Sequence, residues 1–282
     1  MNNSIRQKIR SHMKILLITS GHNLLAQKLL FDQSVNIVGV AFPVKNTKNQ
    51  QLKHKISFNI RNNFIKLKRF LTTAKQLPHF VFSKENENQL LDWIKSLKPD
   101  LIISYSSPFL FDSKIMSLAP KGIINVHNSL LPNYRGPQPF IWQYLNHDLK
   151  HGVTVLYLGE KEDAGDIITQ QSFVIKNGEP QSSTLKKCEN IGYDLVLKSI
   201  ELIKKNKVEK IKQPEKATTK RAKRISESEI IKLINWNEWS TEHINHVVKG
   251  LGLSISEKEI EALSKASIKT ETQQLTSAPF TL

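Results

Sequence analysis

A chain of 282 residues, 39% hydrophobic and 23% charged, is long enough to bury a sizeable core as one large domain or as a core with an appendage, which excludes a disordered or fibrous chain. Its single cysteine, Cys188, excludes an internal disulfide, no Cys/His cluster has zinc spacing, and no apolar run approaches the ~20 residues of a membrane helix. The formal charge of +16 favours anionic partners, whether nucleotide diphosphates, nucleic acid or membrane headgroups, without choosing among them.

Residues 1–12 read as a flexible polar leader without the apolar stretch of a secretory signal, which together with the cysteine usage points to the cytoplasm. Residues 14–19 are continuously aliphatic, as expected of a parallel strand covered on both faces. The turn Gly21, His22, Asn23 leads into Leu24, Leu25, Lys28 and Leu29 at helical spacing. Its backbone N–H groups suit an anionic phosphate; an ordinary strand-to-helix turn is the other reading. Residues 35–42 form a second strand that completes a right-handed βαβ unit. From Gln33 to Lys84 there are ten Lys/Arg and no Asp or Glu. Within this stretch Ile56, Ile60, Phe64, Leu67 and Leu71 recur at helical spacing, which predicts a basic amphipathic insertion over 45–76 near a substrate mouth.

A short strand at 79–82 and a helix over 86–97, with Leu90, Leu91, Ile94 and Leu97 inward, precede a parallel strand beginning near residue 99. That strand exits into an irregular loop containing Ser107, Pro108, Phe109 and Leu110, which offers apolar walls and free backbone groups to a flat ring. A helix near 114–119 leads to Gly122–Pro139, GIINVHNSLLPNYRGPQP. Here Asn125 and His127 share one face of a buried strand near its carboxyl end, where open α/β sheets place their ligands. Ser129 and a rigid Pro/Gly turn carrying Tyr134 and Arg135 follow.

Residues 140–146 read as a helix with Trp142 and Leu145 packed inward. Strands follow at 153–158 and 167–175, the second antiparallel at an edge. A helix over 182–205 packs back on the sheet, with Cys188 as a small helix residue and not a nucleophile. The segment 204–224 is rich in Lys and Arg. Ser226 with Glu229, and Ser256 with Glu259, have capping-box spacing, and the remainder reads as helical and then polar.

The string N-x-H-x-S-L-L-P-x-Y-R-G-x-x-P, followed by His151-Gly152-Val153-Thr154 and then Asp163-Ala164-Gly165, resembles the signature of the folate-dependent formyltransferases. That family contains glycinamide ribonucleotide, methionyl-tRNA and sugar-nucleotide N-formyltransferases. The resemblance covers about Met13 to Trp239 and implies an α/β fold: an open, mostly parallel Rossmann-like sheet flanked by helices over 13–205. A basic linker and a short, mainly helical extension would then fill 206–282. It implies Asn125, His127 and Asp163 as the catalytic trio, with Asn125 meeting a developing oxyanion and Asp163 orienting His127. Ser107, Pro108, Phe109, Leu110 and Gly159 would contact N10-formyltetrahydrofolate, the formyl donor, with no metal. Gly21, His22, Asn23, Ser129 and Arg135 are candidates for the acceptor side, and the last two stay open between substrate contact and bonding within the loop. The end of the chain is too short and too poor in strands for the β-barrel of the methionyl-tRNA enzymes. The expected acceptor is therefore the amine of a small nucleotide-linked amino sugar. Methionyl-tRNA, favoured by the basic charge, is the alternative. A nucleic-acid-binding protein with an inactive formyltransferase core is the reading from another class.

Overall fold

The computed structural model describes residues 13–20, 23–44, 77–109 and 111–255. The expected leader over 1–12, the basic insertion over 45–76 and the capping box of Ser256 and Glu259 lie outside the described residues.

Seven strands form one sheet in the order β3-β2-β1-β4-β5-β6-β7. β1 (Ile15–Thr19), β2 (Ile37–Pro43), β3 (His79–Phe82), β4 (Leu101–Tyr105) and β5 (Ile123–His127) pair in parallel. Every residue of β1 and of β4 is buried, as parallel strands covered on both faces require. β6 (Lys150–Tyr157) reverses against β5, and β7 (Ile167–Val174) reverses again against β6. The edge position expected of β7 is observed. Its antiparallel pairing with β6 is observed as well; β6 in turn runs against β5, so β7 returns to the direction of the parallel set.

Two helical layers cover the sheet. Side chains of α1 (Leu24–Phe31) and α5 (Gln181–Lys204) join Ile15, Leu17, Ile103, Ile124 and Val126 in the larger core. Those of α2 (Glu87–Leu97) and α3 (Ser113–Met116) join Leu16, Ile18, Ile102 and Ile123 on the other face. Strand periodicity puts Asn125 and His127 on that second face with Ile123. α1 starts where Asn23 caps it by accepting from Ala26 N–H (2.8 Å), an arrangement that satisfies an otherwise orphaned donor. Cys188 is fully buried in α5, where burial pushes its thiol up to about 12, as expected of an inert packing residue.

α4 (Pro139–Leu145), α6 (Glu227–Leu233) and α7 (Thr241–Leu251) share a separate cluster built on Leu145, Ile225, Ile230, Ile244 and Val247. Trp142 is drawn to this cluster, and its indole N–H donates to Lys223 O (2.9 Å). Ser226 and Glu229 form the expected capping box at the start of α6.

The seam between α4 and α7 is lined with rings: Tyr144 stacks on His246 at 4.7 Å and His147 on His243 at 4.7 Å. His246 is fully buried, accepts from Gly178 N–H at Nδ1 (2.9 Å) and has no partner at Nε2. Burial, with His147, His151 and His243 adjoining, holds it down to about 4, and burial does the same to His151. Both values lie below the ordinary 6.5, so on acidification the unfolded chain takes up protons that the folded rings refuse. Their neutral forms therefore favour the fold fully above pH 6.5, and that stability drains away as pH falls towards 4. The loss is on the order of 3 kcal/mol for a fully charged ring. We expect the urea midpoint to drop between pH 6.5 and 4.5, and His246→Gln, which keeps an acceptor for Gly178 N–H, to flatten the drop.

Candidate active site

The signature loop after β5 is tied down by the residues of β6 and β7 that follow it in sequence. In the antiparallel register Thr154 stands opposite His127. Its hydroxyl donates to Ser129 O (2.7 Å) and accepts from Leu131 N–H (3.2 Å), while Gln170 Nε2 donates to Leu131 O (3.0 Å) and to Thr154 Oγ1 (2.7 Å). The Gly-Val-Thr segment thus fixes the backbone from which His127 projects. Ser129 is fully buried, with its hydroxyl donating to Asn133 O (2.7 Å), so it fastens the loop upon itself.

The turn over 158–166 leaves β6 where Tyr157 pairs with Ile124, beside the start of β5. It therefore reaches back along the sheet face to bring Asp163 to His127. The Asp163 carboxylate comes within 3.5 Å of His127 Nδ1 and accepts from Gly136 N–H (2.9 Å). Asp163 adopts a left-handed backbone (φ 48°), a conformation that aspartate tolerates better than most side chains. On the opposite side of the ring, His127 Nε2 lies 3.0 Å from Tyr134 O. The buried imidazole is thus set between two oxygen acceptors. A neutral ring donates to one of them and a protonated ring to both, so the site holds a proton on either nitrogen at an oxygen of fixed position. Among the described residues Asn125 makes no side-chain hydrogen bond, and its amide is available to a ligand.

These side chains line a cleft of about 390 Å³. Its lining includes Ser107, Pro108, Phe109, Phe111, Leu158 and Gly159 together with Asn125, His127, Gly136 and Asp163. Apolar surfaces with backbone polar groups between them fit the flat ring system of a folate, which needs both. The cleft therefore contains Ser107, Pro108, Phe109 and Gly159 of the expected donor contacts, and Leu110 lies outside the described residues. Of the acceptor-side candidates, Gly21 and His22 also lie outside them. Asn23, Ser129 and Arg135 do not line the cleft. Asn23 is occupied as the α1 cap and by Thr19 Oγ1 (2.7 Å), and Arg135 turns into the protein. The buried guanidinium of Arg135 donates to Gln213 Oε1 (3.0 Å), Pro214 O (2.8 Å) and Glu215 O (3.2 Å).

Several cleft residues carry no motif. Tyr105 and Asn128 line it, with Asn128 Nδ2 donating to the Tyr105 hydroxyl (3.4 Å) and Asn128 Oδ1 left buried without a partner. Burial raises the Tyr105 phenol well above its usual range, so it stays protonated. Lys161, Arg221 and Arg224 form a cationic rim. Arg221 pairs with Glu162 through two contacts (2.6 and 2.9 Å), and this partner raises its affinity for the proton further. Arg221 and Arg224 belong to the segment expected, from the resemblance, to be a basic linker leading out of the core. The charge run signals a solvated segment, yet backbone hydrogen bonds of Ala222 N–H to Arg135 O (2.8 Å) and of Gln138 N–H to Ala222 O (3.1 Å), with Thr219 accepting from Tyr134 N–H (2.7 Å), fold it back over the cleft. Among the described residues no group of three His, Cys, Asp or Glu could hold a metal ion, and no helix is long and apolar enough to cross a membrane.

The same chain is similar in sequence to the methionyl-tRNA formyltransferase of Fusobacterium nucleatum, at 35% identity over 49% of this chain and 46% of that protein. The chain spans about half the length of the curated relatives it matches. In fold it resembles the phosphoribosylglycinamide formyltransferase of Anaplasma phagocytophilum (TM-score 0.56, 20% identity, 74% of this chain and 96% of that one). It also resembles a 4-N formyltransferase from Francisella tularensis (TM-score 0.54, 20% identity, 84% and 87%). Residues 13–200 match the Formyl transferase family, and the chain belongs to it.

Proposed function

We propose that this chain transfers a formyl group from N10-formyltetrahydrofolate to an amine. The observation that supports this most directly is His127 held between Asp163 Oδ2 and Tyr134 O in a cleft lined by both polar and apolar residues, two residues from the unbonded amide of Asn125. Bound folate supplies an activated formyl group. When the amine attacks the formyl carbon, the Asn125 amide donates to the oxygen that gains charge, a contact whose loss typically costs about 10²–10³ in rate. His127 and Asp163 take the proton released by the amine and return one to the departing nitrogen. Pro108, Phe109 and Leu158 keep water from the reacting carbon.

For the acceptor, the curated relatives are methionyl-tRNA formyltransferases, and this supports an aminoacyl-tRNA more than the nucleotide-linked amino sugar expected from sequence. The charge of +16 suits a polyanion, although at the cleft Lys161 and Arg221 are paired with Glu215 and Glu162. The nucleotide-linked amino sugar expected from sequence stays as the second reading. The two are separated by following tetrahydrofolate release with charged initiator tRNA and with a panel of nucleotide-linked amino sugars across a salt series. The tRNA reading predicts turnover whose log affinity falls by about 0.7–0.9 per phosphate contact per log unit of salt. Turnover of a sugar nucleotide with shallow salt dependence, and none of tRNA, would select the second reading.

A further inference from the structure

The segment after α5 is held by a backbone pair, Ile211 N–H to Ile167 O (3.0 Å) and Ile167 N–H to Ile211 O (2.9 Å). Two residues on, the half-buried Gln213 uses both ends of its amide. Its Oε1 accepts from Arg135 Nε (3.2 Å) and Nη2 (3.0 Å), and its Nε2 donates to Asp163 O (3.0 Å) and Gly165 O (2.7 Å). Arg135 belongs to the loop that supplies Tyr134 O to His127 and Gly136 N–H to Asp163. Beside the direct bond of Gly136 N–H to Asp163 (2.9 Å), Gln213 thus links the two loops that meet at the imidazole. A primary amide is the group this position requires, since it must accept from a cation on one side and donate to two carbonyls on the other.

The turn it holds has little freedom of its own. Asp163 sits at positive φ, and a Cβ on Gly165 would lie 1.9 Å from Tyr157 O, so the backbone there has one arrangement. The strap also touches the other loop, where Thr219 Oγ1 accepts from Tyr134 N–H (2.7 Å) and Ala222 O crowds Gly136 at 2.8 Å from where its Cβ would stand.

We propose that Gln213 is a positioning residue for formyl transfer, setting the Asp163 carboxylate against His127 by clamping the 133–139 and 158–166 loops to one another through Arg135. This rests on the reading of Asp163 as His127's catalytic partner. Gln213 touches neither substrate; it acts through the orientation of a carboxylate, and misplacement of about 1 Å in such a group can cost 10² in rate.

The test is steady-state kinetics of Gln213→Ala with whichever acceptor turns over, combined with a double-mutant cycle on Asp163→Asn. We expect kcat to fall about 10–100-fold while KM for donor and acceptor stays within about twofold. In the Asp163→Asn background the same change should cost less than about twofold more, since the group it positions is gone. Wild-type kcat in Gln213→Ala, a rise in KM alone, or a full multiplicative loss on top of Asp163→Asn would overturn the proposal. If Gln213→Ala does not fold, Gln213→Glu takes its place. It keeps the contact to Arg135 and sets a carboxylate against two carbonyls, and a near-native kcat in a folded Gln213→Glu would overturn the proposal equally. Failure of the function reading looks different: Asp163→Asn by itself would then retain wild-type turnover.

Discussion

His127→Ala is expected to lower kcat for formyl transfer by about 10³, within the 10²–10⁴ range that general acid–base groups contribute, with little change in KM for the donor. The ring does two things that alanine cannot. It carries a proton between two fixed oxygens beside the cleft, and it keeps Asp163 Oδ2 and Tyr134 O apart at 3.5 Å and 3.0 Å from its own nitrogens. Removing it leaves the carboxylate, among the described residues, with the Gly136 N–H as its hydrogen-bond partner. Asp163→Asn should cost less than His127→Ala, because an asparagine oxygen still accepts from Gly136 while losing the charge that steadies a protonated ring. Steady-state kinetics on the three proteins checks the order. A His127→Ala enzyme within tenfold of the wild type would show that the ring is not part of the chemistry.

Gly165→Ala is expected to lower both stability and turnover, through geometry instead of charge. Its added carbon would meet Tyr157 O at 1.9 Å, a backbone atom at the end of β6 that no side-chain rotation can move. The turn must shift, and Gln213 loses the carbonyl to which it donates at 2.7 Å. Overpacking against an unyielding neighbour costs about 1–3 kcal/mol, and a backbone clash belongs at the upper end of that range. Because Asp163 rides on the same turn, kcat should also fall at least 100-fold in the protein that remains folded. Urea denaturation and kinetics on one preparation check both effects.

Much of this arrangement was legible in the sequence, and the reasons are local. The aliphatic runs of β1 and β4, the short strand His79–Phe82 and the long helix α5 announce themselves through hydrophobic pattern and length, since burial on two faces or on one leaves a direct trace in composition. Asn125 and His127 could be placed on one face by strand period alone, and Asp163 by its distance along a signature. Arg135, Gln213 and Arg221 could not be placed in this way. Arg135 sits in the signature loop, and spacing cannot say whether a guanidinium faces a ligand or the carbonyls of a chain segment 78 residues away. Gln213 and Arg221 lie in a basic stretch whose composition describes a solvated linker. Their contacts arise only when that stretch returns across β7 and over the cleft, a long-range docking with no period to reveal it. The direction of β6 was missed for a similar reason, because strand polarity follows from the path of the connection and not from the strand's own residues.

The central claim is that the cleft carrying Asn125, His127 and Asp163 moves a formyl group from N10-formyltetrahydrofolate to an amine. The most direct measurement is tetrahydrofolate formation by wild type and Asn125→Ala side by side, with charged initiator methionyl-tRNA and nucleotide-linked amino sugars as acceptors. The account predicts acceptor-dependent release by the wild type and a loss of about 10²–10³ in Asn125→Ala, the size of one missing oxyanion donor. Release at equal rates from both proteins with an acceptor that is formylated would contradict it and place the chemistry elsewhere in the molecule.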